Sequence, residues 1–179
     1  TKGQRERSFF GRGLVAHLST PEPFCPHLSA ALVDATAEAG GRVHRGGTFI
    51  TVEGPRFSTI GESEIFRLWG MSIIGMTTSP EAFLAAEAEM SYACMAHITD
   101  YDSWHENEAP VTVEMVIRTL HANTRLAQAI ISRLVETTER WAGEFPAHSG
   151  LKDALITDRD HIPATVREEL RPIVGKYVG

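Results

Sequence analysis

Apolar and polar positions divide the chain into short apolar runs that alternate with stretches of helical spacing. Residues 13–18 (GLVAHL) read as a short strand, stopped by Pro21 and Pro23, which can neither donate to a ladder nor continue a helix. Pro26 opens an expected helix over residues 27–39, with Leu28, Ala31, Leu32 and Ala35 on one face and Gly40-Gly41 as its stop. Residues 43–52 (VHRGGTFITV) become rich in β-branched side chains and predict a strand. A helix capped by Ser58 or Ser63 is expected to run to Trp69, with Ile65, Phe66 and Trp69 on one face and Gly70 at its end. Residues 71–76 (MSIIGM) form a nearly all-apolar run suited to a buried strand. Ser79-Pro80-Glu81 starts a further helix that continues through Met90, and residues 92–98 (YACMAHI) read as the next buried strand.

The clearest helical pattern runs from Thr112 to about Trp141. Val113, Val116, Ile117, Leu120, Ala127, Ile130, Ile131 and Leu134 recur on one face, interrupted by Asn123 and Thr124. Residues 143–150 (GEFPAHSG) form a loop, and a charged helix is expected over residues 163–177. Strands alternating with helices predict an α/β fold whose sheet is at least partly parallel.

Composition narrows the class. The 179 residues suffice for one domain with a sizeable core, and 42% hydrophobic with 22% charged residues is the balance of a globular chain. A net charge of −6 argues against a general nucleic-acid partner, whose affinity rests on phosphate neutralisation. No apolar run approaches the length of a membrane span. Cys25 and Cys94 lie far apart without CxxC spacing and are read as reduced thiols of a cytoplasmic protein, with a single disulfide as the lesser alternative. His17, Cys25 and His27 are close in sequence, but their spacing fits no zinc template, and no metal is expected. The chain begins with the basic stretch TKGQRERSFFGR rather than Met, which reads as an exposed loop from the interior of a longer protein.

Candidate chemistry gathers where the predicted strands end. Glu53-Gly54-Pro55-Arg56-Phe57-Ser58 follows one, Met76-Thr77-Thr78 another, and Thr99-Asp100-Tyr101-Asp102-Ser103-Trp104 a third. In α/β proteins ligands collect at the carboxyl ends of strands, where backbone groups and loop side chains converge. Asp100 and Asp102 are open to two readings, as turn-forming residues or as carboxylates facing a ligand donor. Phe57 can stack on a planar ring or pack internally, and Trp104 suits packing. Thr77 and Thr78 can hold an anion or cap the following helix. Arg56 can bind phosphate, although beside a proline it suits a structural ion pair. The common nucleotide-binding, zinc-protease and serine-hydrolase motifs are absent.

These strings resemble the S-methyl-5′-thioadenosine phosphorylases of the purine nucleoside phosphorylase family. Residues 47–58 (GTFITVEGPRFS) look like that family's base-binding loop, and Met76-Thr77-Thr78 with Pro80-Glu81 like its ribose and phosphate segment. Thr99-Asp100-Tyr101-Asp102 with Trp104 looks like its purine-reading loop. His17 with residues 21–26, and residues 151–172, also fit, so the similarity runs the length of the chain.

The resemblance implies a nucleoside phosphorylase fold with a mixed central sheet flanked by helices, lacking the family's amino-terminal part. It implies that residues 1–179 are the carboxyl-terminal portion of one such domain. Implied too is phosphorolysis of S-methyl-5′-thioadenosine to adenine and 5-methylthioribose 1-phosphate, with inorganic phosphate as co-substrate and no cofactor. Broader purine nucleoside phosphorolysis, or a non-catalytic assembly role, is the alternative. Asp100 and Asp102 would be catalytic, reading the adenine amino group and N7. Phe57, Ser58, Met76, Thr77, Thr99 and His17 would contact substrate, Thr77 also contacting phosphate, and Val113, Val116 and Ile117 would enclose the methylthio group. Family members that prefer 6-oxopurines carry Asn at the position of Asp100; a carboxylate only accepts, and so suits a 6-amino group. Trimers or dimers of trimers are expected, with an amino-terminal companion chain as a further partner, and the isolated piece is expected to be inactive.

Overall fold

The computed structural model describes residues 5–104 and 113–179. Two compact units divide the chain: Ser29–Thr78 with Cys94–Ala142, and the residues up to Leu28 with Ser79–Ala93 and Gly143–Gly179.

The first unit is built on a parallel pair, β1 (Phe49–Thr51) and β2 (Ile73–Gly75), registered Phe49 to Ile73, Ile50 to Ile74 and Thr51 to Gly75. Backbone bonds continue the ladder beyond both ends, from Ser72 N–H to Thr48 carbonyl at 2.8 Å and from Val52 N–H to Gly75 carbonyl at 2.9 Å. Gly75 lets the Phe49 ring lie close, since a Cβ there would be 2.8 Å from that ring and would have to displace it. The strand expected over residues 43–52 contracts to three residues because Gly46 and Gly47 take φ of 77° and 122°, outside the extended region. Helix α1 (Pro26–Glu38) precedes β1, and α2 (Ile60–Leu68) connects β1 to β2. Thr59 caps α2, in place of the expected Ser58 or Ser63: Glu62 N–H donates to its hydroxyl, and the Glu62 carboxylate accepts from the Thr59 N–H. Ser63 lies inside the helix and is buried.

Helix α4 (Val113–Glu136) buries Ile130 and then stops. Thr137 donates its hydroxyl to the Arg133 carbonyl at 2.8 Å and leaves helical geometry, so the single helix expected to about Trp141 becomes α4 and a short α5 (Thr138–Trp141). Thr112 lies outside the described residues. Arg133 reaches Glu38 and Glu136, and Arg140 also reaches Glu38, tying the end of α1 to α4 and α5.

The second unit has its own core of Leu14, Leu151, Ala154, Ile162, Val166, Val174 and Val178. The strand expected over residues 13–18 is reduced to one antiparallel bridge, Ala16 with Leu155. Beyond that bridge, Val15 N–H turns to the Thr157 hydroxyl, so a side chain takes the place of a ladder. Residues 92–98 likewise form no strand among the described residues. An apolar run makes a strand only where a neighbour supplies a ladder, and β1 and β2 pair with each other. Helix α3 (Thr78–Glu87) is regular only from Pro80, because Ser79 is extended (φ −105°, ψ 127°). The expected helix over 163–177 divides into α6 (Ala164–Glu169) and α7 (Arg171–Val178) at Leu170, just ahead of Pro172, which lacks an N–H.

Beside this core, the Glu89 carboxylate, 7% exposed, accepts from Lys176 Nζ at 2.6 Å, the Tyr177 hydroxyl at 2.6 Å and the Leu151 N–H at 2.9 Å. Burial pushes its pKa up, but the three donors prevail and hold it below the ordinary carboxylate value.

Candidate functional site

The loop after β1 turns at Gly54, whose φ of 71° is the left-handed region glycine adopts without strain. A Cβ at Gly54 would lie 2.9 Å from Met76 Sδ, so the side chain following β2 packs directly on this turn. The parallel register makes this meeting possible, since Thr51 and Gly75 end their strands side by side. Arg56 then forms a two-bonded pair with Glu62, each Nη donating to one carboxylate oxygen at 2.7 Å, and Nη1 also donates to the Phe57 carbonyl at 3.0 Å. The Arg56 guanidinium, with help from Thr59, holds the Glu62 carboxyl at a pKa of about 2. Arg56 is thus the structural ion-pair partner that its place beside Pro55 suggests.

The Phe57 ring and the Ser58 hydroxyl stand out on this loop. The Phe57 ring is 81% exposed. The Ser58 hydroxyl is buried and has no hydrogen-bond partner. An unmet buried hydroxyl costs about 1–3 kcal/mol, a cost a bound ligand can remove. Both residues line a cavity of about 100 Å³ with Val52, Glu53, Gly54 and the Arg56–Glu62 pair. This is well below the roughly 300–1,000 Å³ of a complete small-molecule pocket, so the notch is one wall of a site.

The loop after residue 98 is fastened to the same place. Ser103 donates its hydroxyl to the Ser58 carbonyl at 3.1 Å. The Arg67 guanidinium of α2 lies 4.3 Å from the centre of the Trp104 ring, and Tyr101 meets that ring edge-on at 5.9 Å. Trp104 therefore packs, as its sequence setting suggests. Asp100 is exposed and accepts from the Thr99 hydroxyl at 2.5 Å, and Asp102 is half-buried. Asn123 of α4 donates to the Ile98 carbonyl at 3.4 Å, which supports the approach to this loop.

The structure thus brings Phe57, Ser58, Met76 and the segment carrying Thr99, Asp100 and Asp102 into one unit. Thr77 is exposed in the residue before α3, beside the buried Thr78. His17 belongs to the other unit, where its ring is exposed and its backbone N–H donates to the Ala154 carbonyl. Val113 begins α4 and Ile117 is 48% exposed; the side chains of Val113 and Val116 lie outside the described residues. Sequence reasoning left Glu62 and Ser103 unassigned, yet they hold the loops. Thr59 followed three residues later by Glu62 is a capping-box signature, which was the available signal for Glu62. Ser103 carried none. Among the described residues no group of His, Cys, Asp or Glu could hold a metal ion.

Loops from adjacent parallel strands thus meet at a partial pocket in an α/β unit. The phosphorylase superfamily model matches residues 1–136, and the chain belongs to that superfamily. S-methyl-5′-thioadenosine phosphorylase of Chloroflexus aurantiacus is 50% identical over 178 residues, covering 99% of this chain and 61% of that protein. The Geobacter sulfurreducens protein of the same name is 47% identical, with 99% and 62% covered. A methylthioadenosine phosphorylase structure from an antarctic soil metagenomic library superposes with a TM-score of 0.89 at 38% identity, over 95% of this chain and 60% of that one. A mutant adenosine/methylthioadenosine phosphorylase from Schistosoma mansoni, in complex with methylthioadenosine, gives a TM-score of 0.69 at 31% identity, covering 78% and 54%. The fold is that of the nucleoside phosphorylases, and the chain spans about 61% of the length of the first of these relatives.

Proposed function

We propose that the complete enzyme containing this chain carries out phosphorolysis of S-methyl-5′-thioadenosine, giving adenine and 5-methylthioribose 1-phosphate. The observation that carries the reading is the buried, unpartnered Ser58 hydroxyl beside the exposed Phe57 ring. A planar base with polar edges satisfies both, by stacking on the ring and hydrogen bonding to the hydroxyl. The relatives named above support that choice of substrate.

Phosphate oxygen bonds to the ribosyl C1′ while the C1′–N9 bond breaks, and the bonding electrons leave with adenine. Catalysis rests on positioning the anion and stabilising the departing base through an oxocarbenium-like sugar. Asp100 supplies or shares a proton at N7, and Asp102 accepts from the N6 amino group. Met76 packs against the ribose, Thr99 supports Asp100, and Thr77 before α3 contacts phosphate. His17 would reach a neighbouring subunit's site beside the 5′-substituent, and Val113, Val116 and Ile117 would enclose the methylthio group. Inorganic phosphate is the co-substrate, and the chemistry calls for no other cofactor.

The enzyme assembles as a trimer or dimer of trimers, with an amino-terminal segment or companion chain completing the phosphate half of the site. Leu68 at 84%, Trp69 at 66% and Val135 at 66% exposure support a covering partner. The reading places the enzyme in the cytoplasm; among the described residues no helix is long and apolar enough to cross a membrane.

Adenine release from methylthioadenosine, measured with and without inorganic phosphate, is the test. Release that depends on phosphate supports the reading, and release without phosphate indicates a nucleosidase. The name of the Schistosoma mansoni relative favours adenosine as a second substrate, read in the same assay.

A further inference from the structure

We infer that the Arg56–Glu62 pair is a positioning device for the base: it fixes the Phe57-Ser58 loop in its receptive conformation and so sets nucleoside affinity. This rests on the phosphorolysis reading of the site.

A phenylalanine ring that is 81% exposed is costly to hold away from its neighbours, and a loose loop would let it collapse. The loop is held from both sides. Ahead of Phe57, the Arg56 fork grips both Glu62 oxygens and the Phe57 carbonyl. Behind Ser58, the Thr59 N–H and hydroxyl donate to Glu62 Oε2 at 2.8 and 3.0 Å. One carboxylate therefore clamps the residues on either side of Phe57-Ser58. Glu62 is itself fixed, because it stands in the first turn of α2 and completes its capping box. Planar two-point pairing of guanidinium with carboxylate adds geometric definition that a point charge lacks.

Magnitude separates this role from a structural one. The pair's side chains are 66% and 38% exposed, and an exposed ion pair adds little to global stability. Its effect falls on the loop. An ordered loop binds more tightly because less conformational freedom is lost on binding.

The experiment measures KM for methylthioadenosine and for phosphate in the complete enzyme, with melting temperature alongside. Arg56→Gln is expected to raise the nucleoside KM about tenfold while the phosphate KM stays within about twofold and the melting temperature barely moves. Arg56→Lys is expected to fall between, because an ammonium reaches the carboxylate without the fork. An unchanged nucleoside KM, or equal rises in both KM values, overturns the inference. If the unsubstituted enzyme shows no phosphate-dependent adenine release, the phosphorolysis reading fails separately. Calorimetric titration with adenine then decides the loop's role. Weaker adenine binding by Arg56→Gln supports it, and equal binding or none by either protein overturns it.

Discussion

Ser103 donates its hydroxyl to the Ser58 carbonyl at 3.1 Å, joining two loops that lie far apart in sequence. The bond links the segment carrying the Phe57 ring to the segment carrying the carboxylates of Asp100 and Asp102. Ser103→Ala removes the link and leaves the Ser58 carbonyl open to water. The net loss is about 1 kcal/mol, which corresponds to a several-fold weaker nucleoside KM and a small change in melting temperature. Steady-state kinetics of the complete enzyme check this; an unchanged KM would show that the loops hold their places without the bond.

Asp100→Asn replaces an acceptor with a group that also donates. Turnover of adenosine-type substrates is expected to fall far more than turnover of inosine-type substrates: an amide cannot pass a proton to N7 as a carboxyl can, whereas beside N7 it can donate to a 6-oxo group and so offsets part of the loss for inosine-type substrates. Parallel assays with both substrate types decide it, and equal losses would remove Asp100 from the base-reading role.

Acid is expected to loosen the Phe57-Ser58 loop. The Glu62 carboxyl has a pKa of about 2 when folded, depressed by Arg56 and Thr59 from its ordinary 4.5. A depressed carboxylate stabilises the fold fully above its unfolded pKa, and that contribution is lost as pH falls through the folded value. Loop fixation therefore weakens between pH 4.5 and 2. Proteolytic nicking near Phe57 across this range, with an acid-active protease, is expected to rise in the native chain and to start from a higher level in Glu62→Gln.

Tyr177→Phe removes one of three donors from the nearly buried Glu89 carboxylate. Loss of a hydrogen bond to a charged, poorly solvated group is expected to lower stability by about 1–2 kcal/mol. Denaturant unfolding at neutral pH checks it. The difference from the native chain should shrink in acid, since Glu89's lowered pKa makes this network's contribution present at neutral pH and lost as pH falls.

Helix limits were legible where proline and glycine mark them. Pro26 and Gly40-Gly41 bracket α1, and Gly70 follows the end of α2. Breaks made by side chains were less visible: Thr137 is an ordinary polar residue until its hydroxyl finds the Arg133 carbonyl. The run at 92–98 has the composition of a strand, but composition does not supply a neighbour. Phe57, Ser58 and Met76 were legible as site candidates through family resemblance and through their place after apolar runs. The packing of Met76 on the Gly54 turn depends on the parallel register of β1 and β2, which no local spacing encodes. The Ser103–Ser58 bond is of the same kind, a tertiary contact between residues that are individually unremarked.

Trp69, at the end of α2, gives the chain an optical reporter. The residue is 66% exposed, with its ring centre 6.3 Å from that of Phe66, whereas Trp104 lies against Arg67 and Trp141 donates its ring N–H to the Leu134 carbonyl. Trp69 should dominate the red side of the tryptophan emission. A chain or subunit that covers this end of α2 will shift that emission to the blue, so assembly can be followed by fluorescence without attaching a dye.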